Sequence, residues 1–139
     1  MAVLRLAAGL KNAMVDRVKD LLDAGAGNGS IKIYTAPQPA SANDPPGAAA
    51  LLATLTLAKP SAPWAVNGVL TLNPIPQANA SGSGAAAWVR LADSAGNTVA
   101  DGDVTASGGG GTLELNTVNL VAGAPVLITA FTFTMPSGA

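Results

Sequence analysis

Apolar and polar positions recur with two different periods along this chain, and the change of period divides it. In LKNAMVDRVKDLLDA, residues 10–24, Leu10, Met14, Val18, Leu21 and Leu22 return at helical spacing. Asp16/Lys19, Arg17/Asp20 and Lys19/Asp23 stand three or four apart, the spacing of ion pairs on the wet side of a helix. Gly25 and Gly27 end the pattern. One amphipathic helix over 10–24 is therefore expected, its apolar stripe covering an edge or face of a β-domain.

Beyond Gly27 the pattern shifts to period two, or to short apolar runs broken by Gly, Pro, Asn and Ser. Strands are expected at Ile31–Thr35, Leu51–Leu57, Val69–Asn73, Ala87–Ala92, Thr98–Val104, Thr112–Asn116, Val118–Val121 and Val126–Met135. In the last of these, Phe131, Phe133 and Met135 take one face and Thr132 and Thr134 the other, as in a half-buried antiparallel strand. The whole chain, residues 1–139, fits a single domain with one core, the strands after the arm filling 51–136.

Three stretches interrupt the strands. APQPASANDPPGAAA, residues 36–50, holds Pro37, Pro39, Pro45 and Pro46 and one charge, so an extended arm is expected, ordered against a neighbour. Ala78–Ala86 is a second loose region. The third, TASGGGGTLELN at 105–116, raises the question of a phosphate cradle. Such a loop needs a following helix or a lysine, whereas here a strand pattern follows, the nearest charge is Glu114, and no Lys or Arg occurs after Arg90. A slack hairpin loop is the expected structure.

Composition narrows the chemistry. The chain has no histidine and no cysteine, which removes thiol nucleophiles, Ser-His-Asp triads and His- or Cys-based metal sites. Seven basic and eight acidic residues give a net charge of −1, and 11% of residues are charged. The basic residues are scattered, so no nucleic-acid partner is expected. A surface this poor in charge suits a protein that lies against other proteins. No run approaches the ~20 apolar residues of a membrane span. The run Leu6–Leu10 is broken by Lys11, too soon for a signal peptide, and no membrane partner is expected.

Asp93, Asp101 and Asp103 are the concentrated carboxylates outside the helix. Asp101 and Asp103, two apart on a strand, could face one way as a metal-binding or acid/base pair. The spacing lacks a calcium-loop pattern, however, and DSAGNT reads as a turn. No metal, cofactor or enzymatic activity is expected. Tyr34, Trp64 and Trp88 could make a sugar-stacking platform, although Trp88 within AAAWVRL reads as core and Trp64, after KPSAP, as an exposed contact residue for sugar or protein.

The order of LKNAMVDRVKDLLDAGAGNGSIKIYTAPQPASAND, LLATLTL, WVRLADSAGNTVADGDV and LNTVNLVAGAPVLITAFTFTMP resembles small structural proteins of tailed bacteriophages, in particular the capsid cementing (decoration) protein of a short-tailed phage. The resemblance implies an all-β protein with one N-terminal helix, built as a jelly-roll-like antiparallel β-sandwich. It also implies synthesis in the host cytoplasm and a place on the outer capsid surface of the virion, where homodimers would bridge major capsid protein subunits. Eight strand candidates and near-zero charge are compatible with that picture. The contact candidates are Pro37, Pro39, Pro45, Pro46, Trp64 and Pro136, the last in the tail Pro136–Ala139. A phage tail or fibre component and a carbohydrate-binding β-sandwich module using Trp64 or Tyr34 are the alternatives, with metal-assisted hydrolysis at Asp101/Asp103 the enzymatic one.

Overall fold

The computed structural model describes residues 4–135, so Pro136 and the tail behind it lie outside the described residues. The helix, α1, spans Ala8–Leu22, starting and stopping two residues earlier than expected. Its last turn carries Lys19, favourable at the negative end of the helix dipole, and Gly25 follows with φ +84°. The strands are β1 (Ser30–Tyr34), β2 (Leu51–Thr56), β3 (Val69–Thr71), β4 (Ala78–Asn79), β5 (Gly84–Ala85), β6 (Trp88–Ala92), β7 (Thr98–Ala106), β8 (Leu113–Leu115), β9 (Asn119–Leu120), β10 (Pro125–Val126) and β11 (Ile128–Thr134). The expected strand Val126–Met135 is thus split at Leu127, and the loose region Ala78–Ala86 contributes two short strands.

Seven strands form one sheet in the order β2-β1-β6-β7-β8-β11-β3, and two ribbons, β10-β4 and β5-β9, stand beside it. The purely antiparallel arrangement needs correction, because β7 and β8 run parallel, with Val104 opposite Leu113 and Ala106 opposite Leu115. The molecule is mostly β with one helix and a large mixed sheet.

Strand alternation sorts the sheet into two faces. Ile31, Ile33, Leu55, Val89, Leu91, Leu113 and Leu115 are buried on the core face, joined by Leu22 of α1 and by Leu120 and Val126 of the ribbons. The register places Lys32 beside Arg90 and Arg90 beside Asp101, and likewise Tyr34 beside Trp88 and Trp88 beside Asp103, all on the other face.

The helix does not sit as its apolar stripe suggested. Val15 and Leu22 are its buried residues and Val18 is partly buried, while Leu10, Met14 and Leu21 face solvent. Of the three expected ion pairs only Lys19–Asp23 forms among the described residues, at 3.4 Å. The reason lies in what the polar side chains do instead.

Candidate functional site

Asn12, Asp16, Lys19 and Asp23 make a stripe along α1, and the loop between β2 and β3 is laid against it. The Asp23 carboxylate accepts the Ser61 N–H at 2.9 Å, that of Asp16 accepts Ala65 N–H at 2.7 Å, and the Asn12 carbonyl oxygen accepts Gly68 N–H at 2.7 Å. Lys59 donates to the Gly25 and Gly27 carbonyls beyond the end of the helix. Asn73 donates its side-chain N–H to the Pro60 carbonyl at 3.0 Å. Each bond satisfies a loop amide or carbonyl that the sheet does not reach. The loop is thereby held at several points along the helix.

On this frame sits Trp64, 66% exposed, with Val66 at 67% two residues on. The Lys19 ammonium stands 4.6 Å from the Trp64 ring centroid, a cation–π contact that covers part of the ring. An indole this exposed, on a loop already ordered before any partner arrives, suits a contact surface, since little conformational entropy remains to be lost on binding. The exposure of Trp64 was legible in the sequence. The clamp of Asn12, Asp16 and Asp23 was not, because acids spaced three and four from bases read equally well as helix ion pairs.

The other aromatics stand elsewhere. Tyr34 and Trp88 are stacked at 4.5 Å with an interplanar angle of 13°, both buried, and the Trp88 indole N–H donates to the Thr35 carbonyl at 2.8 Å. Arg90 lies over Trp88 at 5.3 Å and grips Asp101 through two hydrogen bonds, at 2.7 and 2.8 Å. The hydrogen bond from Arg90 to Asp101 raises the guanidinium above its usual range, against desolvation. Burial raises the Tyr34 phenol, partly offset by the Arg90 charge. Tyr34 and Trp88 therefore form no exposed platform with Trp64.

The Asp101/Asp103 pair is divided between two protein partners. Asp101 is held by Arg90, while Asp103 accepts both the backbone N–H and the hydroxyl of Thr112 at 2.9 Å. Those bonds hold Asp103 below the usual carboxylate range. Asp93 is lowered by Asn97, whose side chain and backbone both donate to it in the expected turn. Among the described residues no group of three or more acids is placed to hold a metal ion.

The glycine loop does cradle an anion, and the anion is the chain's own. Gly108 N–H donates to one oxygen of Glu114 at 3.0 Å and Gly110 N–H to the other at 3.1 Å. Gly111 N–H donates to the Thr105 hydroxyl at 3.0 Å. The slack hairpin expected there is corrected to a pinned loop between parallel strands. Parallel neighbours normally need a crossover of roughly a dozen residues or more; here the chain doubles back between Ala106 and Leu113. Gly108 and Gly110 take φ of +85° and +81°, and a Cβ on Gly109 or Gly111 would stand 2.7 or 2.8 Å from Thr105. Only glycine fits such a return.

The proline arm is a long loop joining β1 to β2. Its base is closed by Thr35 N–H to the Ala50 carbonyl at 3.0 Å and Ala50 N–H to the Thr35 hydroxyl at 2.9 Å. The Asp44 charge is the smallest of the influences that raise the Arg90 guanidinium. Pro37 and Pro45 are exposed and Pro39 and Pro46 half-buried. The arm is thus tied to its own chain at its base. Among the described residues no helix is long and apolar enough to cross a membrane.

Comparison with protein-family models, with curated proteins and with solved structures returns no match for this chain.

Proposed function

We propose that this chain is a non-enzymatic structural protein of a phage virion that binds the outside of the capsid and cements contacts between major capsid protein subunits. The observation that carries the proposal is Trp64: a mostly exposed indole fixed on a loop that helix side chains hold at Ser61, Ala65 and Gly68. Rigid aromatic anchors of this kind dominate protein interfaces. The segment order described above supplies the phage context, and the carboxylates tied up by Arg90 and Thr112 agree with a structural role. In this proposal the ribbons β4–β10 and β5–β9, which share the core with the large sheet, form the second layer of a jelly-roll-like sandwich. The protein acts as a homodimer, without nucleic acid or membrane.

A cement strengthens a shell only if it prefers the assembled state to free subunits. Sedimentation of the labelled protein with empty expanded shells, and separately with unassembled capsid subunits, tests this. Binding to shells, weakened about tenfold or more by Trp64→Ala, is expected. Equal binding to shells and subunits would sink it. Glycan binding lost in Trp64→Ala would instead make the chain a carbohydrate-binding tail or fibre component, a reading favoured by the same exposed indole.

A further inference from the structure

The flank of α1 opposite the Trp64 loop is apolar and faces solvent. At 100° per residue, Leu10, Met14 and Leu21 fall on one stripe, about 170° round the helix from the Asn12, Asp16, Lys19 and Asp23 stripe, with buried Val15 and Leu22 between them. Leu10 is 49% exposed, Met14 43% and Leu21 38%. Arg17 completes the stripe at the position between Met14 and Leu21, exposed, with no carboxylate in salt-bridge range among the described residues. Apolar residues at i, i+4 and i+11 with a cation at i+7 are the pattern of a helix laid into a groove.

We infer that this stripe is a second docking surface, and that it enters an apolar groove on a capsid subunit whose floor carries a carboxylate facing Arg17. The inference rests on the cementing proposal and deepens it. Two contact surfaces on opposite flanks of one short helix let a single copy touch two neighbours at once, which is what bridging requires.

Charge argues against a second copy as the occupant. Laid antiparallel with Leu10 against Leu21, two such helices bring their Arg17 residues ~5 Å apart along the axis and leave each ~9 Å from the partner's Asp20. A parallel pair sets Arg17 directly on Arg17. Both arrangements confront like charges with no acid in the stripe. Area argues the same way, since one face of a 15-residue helix cannot supply the roughly 1,000 Å² of a stable interface on its own. As the second contact of a protein already held through Trp64, it gains from effective concentration and can be small.

The test uses the full chain, as wild type, Met14→Glu, Arg17→Glu, Arg17→Lys and Trp64→Ala, in sedimentation with empty expanded shells. Because the substituted stripe residues are exposed, thermal unfolding of each stripe variant should match wild type. Met14→Glu and Arg17→Glu are expected to weaken shell binding about tenfold or more, and Arg17→Lys by less than about twofold. If wild type binds and Trp64→Ala weakens it, but the stripe variants bind like wild type, the groove is overturned while cementing stands. If wild type does not bind shells at all, both fall. Analytical ultracentrifugation showing a dimer that Met14→Glu dissociates would assign the stripe to a second copy and overturn the inference. Binding to phosphatidylserine vesicles lost in Met14→Glu would assign it to lipid and do the same.

Discussion

The proline arm between β1 and β2 and the glycine loop between β7 and β8 share a composition that signals looseness, yet the fold restrains them by opposite means. The glycine loop is held from within: Glu114, a few residues along the chain, takes the Gly108 and Gly110 amides at the surface. The arm has few internal bonds, Asp44 N–H to Ser41 and Ala49 N–H to Pro46 among them, and is held at its base by Thr35 and Ala50. The strands it joins or borders carry Tyr34, Trp88, Arg90 and Asp101, a group that is nearly dry. A short loop can thus be ordered by one local carboxylate. A long one is closed by bonds between its two ends.

The largest difference should appear when each restraint is broken. Asp101→Ala strands the Arg90 guanidinium in a site where its side chain is 10% exposed, and should cost about 3 kcal/mol or more in chemical denaturation. The Tyr34–Trp88 stack lies against that guanidinium, so indole fluorescence should change as well. Gly109→Val comes next. Its Cβ would meet the Thr105 Cβ at 2.7 Å and the Ala106 carbonyl at 3.0 Å, so β7 or β8 must shift, at about 2 kcal/mol. Gly96→Val meets no atom within 4 Å of its Cβ but sits at φ +88°, so it reads φ strain alone, whereas Gly109→Val reads the clash alone. A Gly109→Val variant as stable as wild type would show that close packing is not what the glycine run is for.

Glu114→Gln is a milder break. The amide keeps one acceptor but turns an NH₂ toward one of the two glycine N–H groups, so one of the two bonds is lost, at about 1 kcal/mol. Hydrogen exchange at Gly108 and Gly110 should accelerate while the β1–β6 amides stay protected. Uniform acceleration across the sheet would mean that the loop is not a separate unit.

How much of this was legible in the sequence depended on whether a signal was local. The strands on the core face announced themselves because Ile31/Ile33 and Val89-Arg90-Leu91 alternate as strand residues do, and the turn at Asp93–Asn97 because an Asp–Asn closure is made within a few residues. Helix orientation was not legible. Leu10, Met14 and Leu21 are as apolar as any core stripe, and only the carbonyl and carboxylates that hold Gly68, Ala65 and Ser61, some 40 to 60 residues away, decide which flank turns inward. The parallel step between β7 and β8 was hidden for a related reason. A glycine run before a strand reads as a hairpin unless the partner of Glu114 is known. The exposure of Trp64 was read from its place among prolines; its support was invisible, since an aspartate near a lysine on a helix already has a sufficient explanation.

The smallest effect concerns pH. Asp103 sits beside the glycine loop and receives the Thr112 amide and hydroxyl, which hold its carboxyl below the ordinary aspartate value near 3.9. For a lowered folded value the unfolded chain binds the proton more readily, so stability rises with pH through the interval between the two values. Its contribution is complete above about pH 4 and disappears as pH falls through the folded value. Because the bonds are at the surface, solvent screening keeps this contribution small. The Asp93 carboxyl is lowered as well, by Asn97, so wild type alone cannot separate the two. The comparison that can is Asp103→Asn against Asp93→Asn, with unfolding midpoints followed from pH 6 to pH 2.5. Asp103→Asn should flatten the acid limb and release protection at Thr112 and Gly111, whereas Asp93→Asn should flatten the limb with protection in the glycine loop intact. An acid limb as steep in Asp103→Asn as in wild type would mean that the Thr112 bonds carry no linkage, leaving Glu114 and the glycines themselves to hold the return of the chain.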